Sequence, residues 1–235
     1  MKMANRYKWL LIVSGLLLFA FGIWYYSGHS EKLKKVSGIA EYDTLIQLQN
    51  FKEIPSKPFK YVLVNCDLGP VKVTIEANKK SSLEFHQTFM KYIEISYKSD
   101  TLLIHTLKTP KSTKENPITK QIYIYTPEIS YYMGEATQTF FSNFGTEYLK
   151  VDNRSSYIRF HGCEIEKLDL TTNKSCNYVM DDDCAFDKVD AKINPNSALN
   201  CRGYVRSQLL LTANNLQNIR FGLNVKKLIM KKYTK

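Results

Sequence analysis

Residues 149–211 read LKVDNRSSYIRFHGCEIEKLDLTTNKSCNYVMDDDCAFDKVDAKINPNSALNCRGYVRSQLLL. In and around this stretch, an apolar residue that opens a short alternating run recurs at Ile129, Leu149, Leu168, Val189, Leu209 and Leu228. The steps are 20, 19, 21, 20 and 19 residues. A second register runs beside it. Ile158, Tyr178, Leu199 and Ile219 are spaced 20, 21 and 20, and Phe160, Met180, Cys201 and Phe221 keep the same steps. A single 20-residue unit with strand-like runs cannot bury its inner face alone, so a fixed period of this kind predicts stacked units. The expected fold class is all-β, a right-handed parallel β-helix of about 20 residues per coil.

Polar corners punctuate the repeat at 152–156 (DNRSS), 172–175 (TNKS) and 194–197 (NPNS), with Asn214-Asn215 in step. Asn tolerates the left-handed backbone a tight corner needs, and stacked amides can bond along the stack. Upstream the period of two continues. Residues 61–64 (YVLV) stop at Leu68-Gly69-Pro70, after which Val71, Val73 and Ile75 alternate with polar residues. Leu83 and Phe85, Ile93 and Ile95, Leu102 and Ile104, and Ile122 and Ile124 follow the same alternation. Such alternation predicts half-buried strands, and the Gly-Pro step predicts the turn between two of them. Residues 106–119 read as a polar loop. At the far end, Lys226, Lys227, Lys231 and Lys232 flank the last short run and would discourage edge-to-edge pairing.

The amino-terminal end carries a different signal. Residues 9–26 (WLLIVSGLLLFAFGIWYY) form an uncharged run with Lys2, Arg6 and Lys8 before it. About 20 apolar residues cross a bilayer, and the flanking Trp9, Trp24, Tyr25 and Tyr26 stand where interfacial aromatics belong. The run is longer than a cleavable signal's apolar region and ends in bulky residues, which favours an uncleaved signal anchor. The expected organisation is a cytoplasmic tail (1–8), a transmembrane anchor (9–26), a stalk (27–58) and a β-helical domain (59–235) outside the cytoplasm.

The formal charge of +11 resembles a nucleic-acid signature until it is located. Most of it lies before residue 36 and after residue 225, and residues 36–225 carry about +1. A nucleic-acid binder concentrates charge on a folded face. Here the charge flanks the anchor and ends the chain, where it serves solubility or attraction to anionic lipid or envelope polymer.

Five cysteines, at 66, 163, 176, 184 and 201, show no CxxC and no zinc spacing. Cys163 and Cys184 lie one unit apart, a placement that fits either a bridge between neighbouring coils or a stack of small residues. The triplet Asp181-Asp182-Asp183 is the best metal-like cluster, but it lacks the ligand spacing of a calcium loop and reads as a solvated corner. His86, His105 and His161 are scattered, with no carboxylate pattern beside them. Tyr131, Tyr132, Phe140, Phe141 and Phe144 form an aromatic cluster that serves either as core or as a platform for sugar rings. Single carboxylates such as Glu164, Glu166 and Asp169 take no catalytic role from spacing alone. Asn153-Arg-Ser and Asn173-Lys-Ser match the N-glycosylation sequon at corners where Asn and Ser already have structural reasons to stand. Asp43-Thr44-Leu45 and Asp100-Thr101-Leu102 resemble a short O-glycosylation triplet. No nucleophile elbow, P-loop, zincin or dinucleotide motif is present.

The strand pair spanning residues 61–75, then Leu102-Leu103-Ile104, then Ile122-Tyr123-Ile124-Tyr125-Thr126-Pro127, then repeats of about 20 residues with polar corners, together resemble the GIN-domain family. That family comprises auto-transporter adhesin heads of Bacteroides-like bacteria. The resemblance spans about residues 59–230 and implies a parallel β-helix on the cell envelope with no catalytic residues. The corners here, 153–157 (NRSSY) and 173–177 (NKSCN), replace the family's Ser-Gly-rich ones.

The functional expectation is a membrane-anchored, extracytoplasmic binding or scaffold module that is adhesin-like and not an enzyme. No catalytic, cofactor-binding or metal-binding residue is expected. Its partners would be membrane lipid through the anchor and an envelope polysaccharide or protein, not nucleic acid. An envelope-stress accessory protein and a β-helical carbohydrate-active enzyme are the alternatives.

Overall fold

The computed structural model describes residues 51–66, 70–107, 120–154, 156–222 and 224–231. The tail, the anchor and residues 27–50 of the stalk lie outside them. Among the described residues no helix is long and apolar enough to cross a membrane. In chain order the strands are β1 (Phe51–Pro55), β2 (Tyr61–Cys66), β3 (Val71–Ala77), β4 (Ser82–His86), β5 (Ile93–Lys98) and β6 (Thr101–Thr106). They continue with β7 (Gln121–Thr126), β8 (Tyr131–Glu135), β9 (Thr137–Ser142), β10 (Gly145–Arg154), β11 (Tyr157–His161) and β12 (Glu164–Thr172). Last come β13 (Asn177–Met180), β14 (Ala185–Ile193), β15 (Ala198–Cys201), β16 (Tyr204–Ala213), β17 (Ile219–Phe221) and β18 (Leu228–Lys231). A single helical turn, Gln87–Met90, follows β4.

Two nine-stranded mixed sheets result, ordered β1-β4-β7-β3-β9-β11-β13-β15-β17 and β18-β16-β14-β12-β10-β8-β2-β6-β5. The expected right-handed parallel β-helix is therefore not the fold: the sheets are not a closed parallel β-helix. The cause lies in the amino-terminal part. Residues 99 and 100 alone join β5 to β6, with Ser99 at a φ of 50°. A connection that short cannot cross over, so the two strands pair antiparallel. β4 likewise runs antiparallel to both β1 and β7. Side-chain alternation has the same period in either direction, so it carried no warning of this.

The repeat itself maps onto the parallel portion. From β8 the chain passes from one sheet to the other at each successive strand. Leu149, Leu168, Val189, Leu209 and Leu228 are consecutive Cα partners. So are Ile158, Tyr178, Leu199 and Ile219, and Phe160, Met180, Cys201 and Phe221. The first four leucine-column residues are at most 2% exposed, while Leu228 on the edge strand is 40% exposed. Ile129 is buried but precedes β8, whose Tyr131 is the partner of Lys150, so it falls out of that column.

The core lies between the sheets. Tyr132, Phe141 and Phe144 are buried in it, so these members of the aromatic cluster are structural. Phe141 stacks on Phe160 with centroids 5.0 Å apart, and Tyr132 and Phe186, from the other sheet, meet those two rings edge-on. Asn153 is fully buried, which removes it as a glycan acceptor, whereas Asn173 is exposed. Asn194 does bond back along the stack, but to the Lys174 carbonyl (2.8 Å) and not to a neighbouring Asn amide.

Candidate ligand-binding cleft

On the outer face of the first sheet, alternation points Lys72, Thr74 and Glu76 of β3 outward while Val71, Val73 and Ile75 face the core. Phe140 and Ser142 of β9 and Arg159 and His161 of β11 point the same way. The register sets these side chains in two rows across the strands. One row runs Tyr123, Thr74, Phe140, Arg159, and the other runs Glu76, Ser142, His161. Thr74 and Ser142 are short and their neighbours are tall, so the middle of the face sinks into a cleft of about 390 Å³. Strands spaced about 4.8 Å apart make the four-residue row roughly 14 Å long.

The cleft combines ring faces with fixed polar groups. Lys72 Nζ lies 5.3 Å from the Phe140 ring centroid. Burial, reinforced by the negative charge of Glu84, raises the Glu76 carboxyl above its ordinary range. Burial also raises the Tyr123 hydroxyl, helped by Glu76 and Glu84. Tyr125 next to it donates to Glu84 Oε2 at 3.1 Å and is raised by burial first and by Glu84 second.

An ion-pair knot forms the far wall. Asp181 Oδ2 accepts from Arg159 Nε at 2.6 Å, and its Oδ1 accepts from Arg202 Nη2. His161 Nδ1 lies 3.4 Å from Asp181 Oδ2 and 2.7 Å from Asp183 Oδ2. The Gly162 N–H above all, with the Cys184 thiol and His161, holds the Asp183 carboxyl below its usual range. This corrects two expectations. The Asp181 end of the triplet is not solvated, its side chain being 3% exposed, and His161 does have carboxylates beside it. The signal was present in the repeat, since Arg159, His161 and Arg202 stand 22, 20 and 21 residues from Asp181. His161, Asp181 and Asp183 offer ligand atoms within 4.8 Å of one another. Both Asp181 oxygens, however, already accept from guanidinium groups, and two fixed cations repel a third. The arrangement is a structural clasp.

A larger depression of about 510 Å³ lies beside Glu128, Gly145, Glu147 and Tyr148. Glu128 pairs with Lys60 at 3.5 Å and Glu147 is exposed. Neither sits in the apolar setting that keeps a carboxyl protonated for acid catalysis. Glu164 and Asp169, named from the sequence, are also occupied: Glu164 accepts from Arg206 at 2.8 Å and Asp169 from Tyr148 at 2.9 Å.

That last bond belongs to a repeated device on the outer face of the second sheet. Tyr131 donates to Asp152 at 3.0 Å with Lys150 over its ring, and Tyr148 donates to Asp169 with Lys167 over its ring. Burial first, and the carboxylate bond second, push both hydroxyls up to about 12. Raised folded-state values favour the neutral phenol. The contribution is therefore complete below the unfolded value near 10 and is lost between about 10 and 12. Alkaline titration followed by tyrosinate absorbance should show both among the late-ionising tyrosines, beside Tyr123, Tyr125, Tyr132 and Tyr178, which burial also raises. Tyr131→Phe and Tyr148→Phe should each remove one and lessen the loss of stability above pH 10. Ordinary ionisation near 10 for both would contradict the geometry.

No family model matches the chain, so the GIN-domain resemblance gains no support there, and no curated protein matches it. Among solved structures, the chain is similar to a candidate adhesin from Bacteroides fragilis at 13% identity and a TM-score of 0.42, over 78% of this chain and 96% of that one. A candidate adhesin from Parabacteroides merdae gives 13% and 0.42 over 78% and 91%. One from Parabacteroides distasonis gives 14% and 0.42 over 78% and 92%. Likeness at this level transfers neither a ligand nor a role.

Proposed function

We propose that this chain is a non-catalytic, adhesin-like binding module of the cell envelope, held to the membrane by residues 9–26, whose ligand is a glycan lying across the outer face of the first sheet. The observation that carries this reading is the cleft over Thr74 and Ser142. It sets the Phe140 and Tyr123 rings beside Lys72, Glu76, Arg159 and His161. Ring faces stack on the apolar faces of sugars, while the charged rim supplies donors and acceptors for hydroxyl or carboxylate groups. Glycoside hydrolysis uses two carboxyl groups flanking the bond, and Glu76 is the one carboxylate among the described residues lining this cleft. Among the described residues no feature favours the envelope-stress alternative.

The full chain, reconstituted in detergent micelles and applied to a glycan and cell-wall polymer array, should retain a saccharide class without shortening it. Phe140→Ala should weaken that binding by about tenfold, the size of one aromatic contact. Arg206→Ala, on the other sheet, should leave it unchanged. No retention on any polymer, or equal binding by the Phe140 variant, would remove the cleft as the site.

A further inference from the structure

Phe144, Cys163, Cys184 and Gly203 immediately precede β10, β12, β14 and β16. The first residues of those strands, Gly145, Glu164, Ala185 and Tyr204, are Cα partners in sequence. Backbone bonds extend the ladder to the four residues themselves: Glu164 N–H to Phe144 O (3.0 Å), Ala185 N–H to Cys163 O (2.8 Å) and Tyr204 N–H to Cys184 O (2.9 Å). Cys163 and Cys184 thus occupy neighbouring places in one column of parallel chain. Parallel neighbours lie about 4.8 Å apart, within the span of roughly 4.4–6.8 Å that a disulfide bridges. The Cys184 sulfur lies against the Cys163 backbone, whose N–H donates to Cys184 Sγ at 3.4 Å, while the Cys163 thiol reaches the Phe141 and His161 carbonyls at 3.4 Å. The next place in the column is Gly203. A Cβ on Gly203 would lie 3.0 Å from the Cys184 carbonyl and 3.3 Å from its Cβ, so only bare backbone fits there. Cys176 faces Ser197 and Cys201 lies between Met180 and Phe221, so neither has a cysteine in the adjoining place.

We propose that Cys163 and Cys184 are an oxidisable pair that closes into a disulfide joining the starts of β12 and β14, with a small-molecule or protein disulfide as oxidant. Cys163 is the entry nucleophile, because the neighbouring Cys184 sulfur, above all, holds its thiol below the value of an ordinary one. Its thiolate attacks the external disulfide, forms a mixed disulfide and expels one thiolate, which takes up a proton. Cys184 then loses its proton and attacks Cys163 Sγ, expelling the second thiolate. Two protein thiols are oxidised to one disulfide, and the external disulfide is reduced to two thiols. Both thiols are buried, so exchange belongs to folding or to local opening of the turn that carries exposed Asp182. The bond ties the His161–Gly162 corner to Asp183, fixing the wall of the cleft whatever ligand that cleft takes.

The test is refolding of the full chain in a glutathione redox buffer, followed by alkylation, tryptic digestion and mass spectrometry. Peptide 160–167 should be linked to peptide 175–188, with fragment spectra placing the bond on Cys184 and not on Cys176. The oxidised form should melt roughly 6–12 °C above the reduced form. That gap should vanish in Cys163→Ser, whose fold is checked by circular dichroism. A fully alkylated Cys163 after refolding, linkage to another cysteine, or a gap that persists in the serine variant would overturn the proposal.

Discussion

Replacing Phe160 with alanine should lower the free energy of unfolding by about 3–5 kcal/mol, the range for removing a fully buried aromatic side chain. Its ring is 0% exposed, stacks on Phe141 at 5.0 Å and meets Phe186 of the opposite sheet edge-on at 6.0 Å. The side chain therefore joins the two sheets as well as successive strands of one. Parallel strands on either side fix the backbone, so the void cannot collapse by sliding β11, and the cavity penalty adds to the lost transfer energy. Phe140→Ala is the control: that ring faces outward from neighbouring β9 and should cost less than about 1 kcal/mol. Urea unfolding followed by far-ultraviolet circular dichroism measures both. Equal costs, or a Phe160 cost below about 1 kcal/mol, would mean that the sheets do not share the core described.

How far these facts were legible depends on which physical signal each one leaves in the chain. The columns through Leu168 and through Phe160 were readable residue by residue, because burial forces the same apolar choice at every turn of the chain. The direction of β4 and β5 was not, because a strand paired antiparallel alternates in the same way as a parallel one; β1 falls within residues 27–58, which were expected to be stalk. Ser99-Asp100 held the clue, being too short to bring a parallel strand back. The cleft was invisible for another reason. It depends on Thr74 and Ser142 being small relative to side chains as much as 87 residues away in the chain, and a face-wide contrast of heights has no local period. The clasp around Asp181 lies between these cases. Its members keep the repeat's spacing, but in the sequence a carboxylate in step with the repeat is by itself indistinguishable from a solvated corner. Exposed charges do gather at corners more often than not. What distinguishes Asp181 is that arginines stand one repeat to either side of it.

Asp181→Ala should cost about 2–3 kcal/mol of stability, and the reasoning turns on which partner is desolvated. The carboxylate is 3% exposed, whereas the side chains of Arg159 and Arg202 are 42% and 47% exposed. Hydrogen bonds to charged groups are worth about 1.5–3 kcal/mol each, and two are lost. The guanidiniums then turn to water, so the full penalty of about 3–5 kcal/mol for stranding a buried charge does not apply. The reverse substitution separates these contributions. Arg202→Ala leaves Asp181 buried with Arg159 as its remaining guanidinium, and its cost should equal or exceed that of Asp181→Ala only if burial of the carboxylate, not exposure of the cation, controls the energy. In a double-mutant cycle Asp181→Ala with Arg202→Ala should show a coupling of about 1–2 kcal/mol that persists in high salt, because the buried carboxylate is poorly screened. A coupling below about 0.5 kcal/mol that disappears with salt is the behaviour of an ordinary surface pair. That outcome would leave the cleft's far wall without the rigid support the proposed binding site requires.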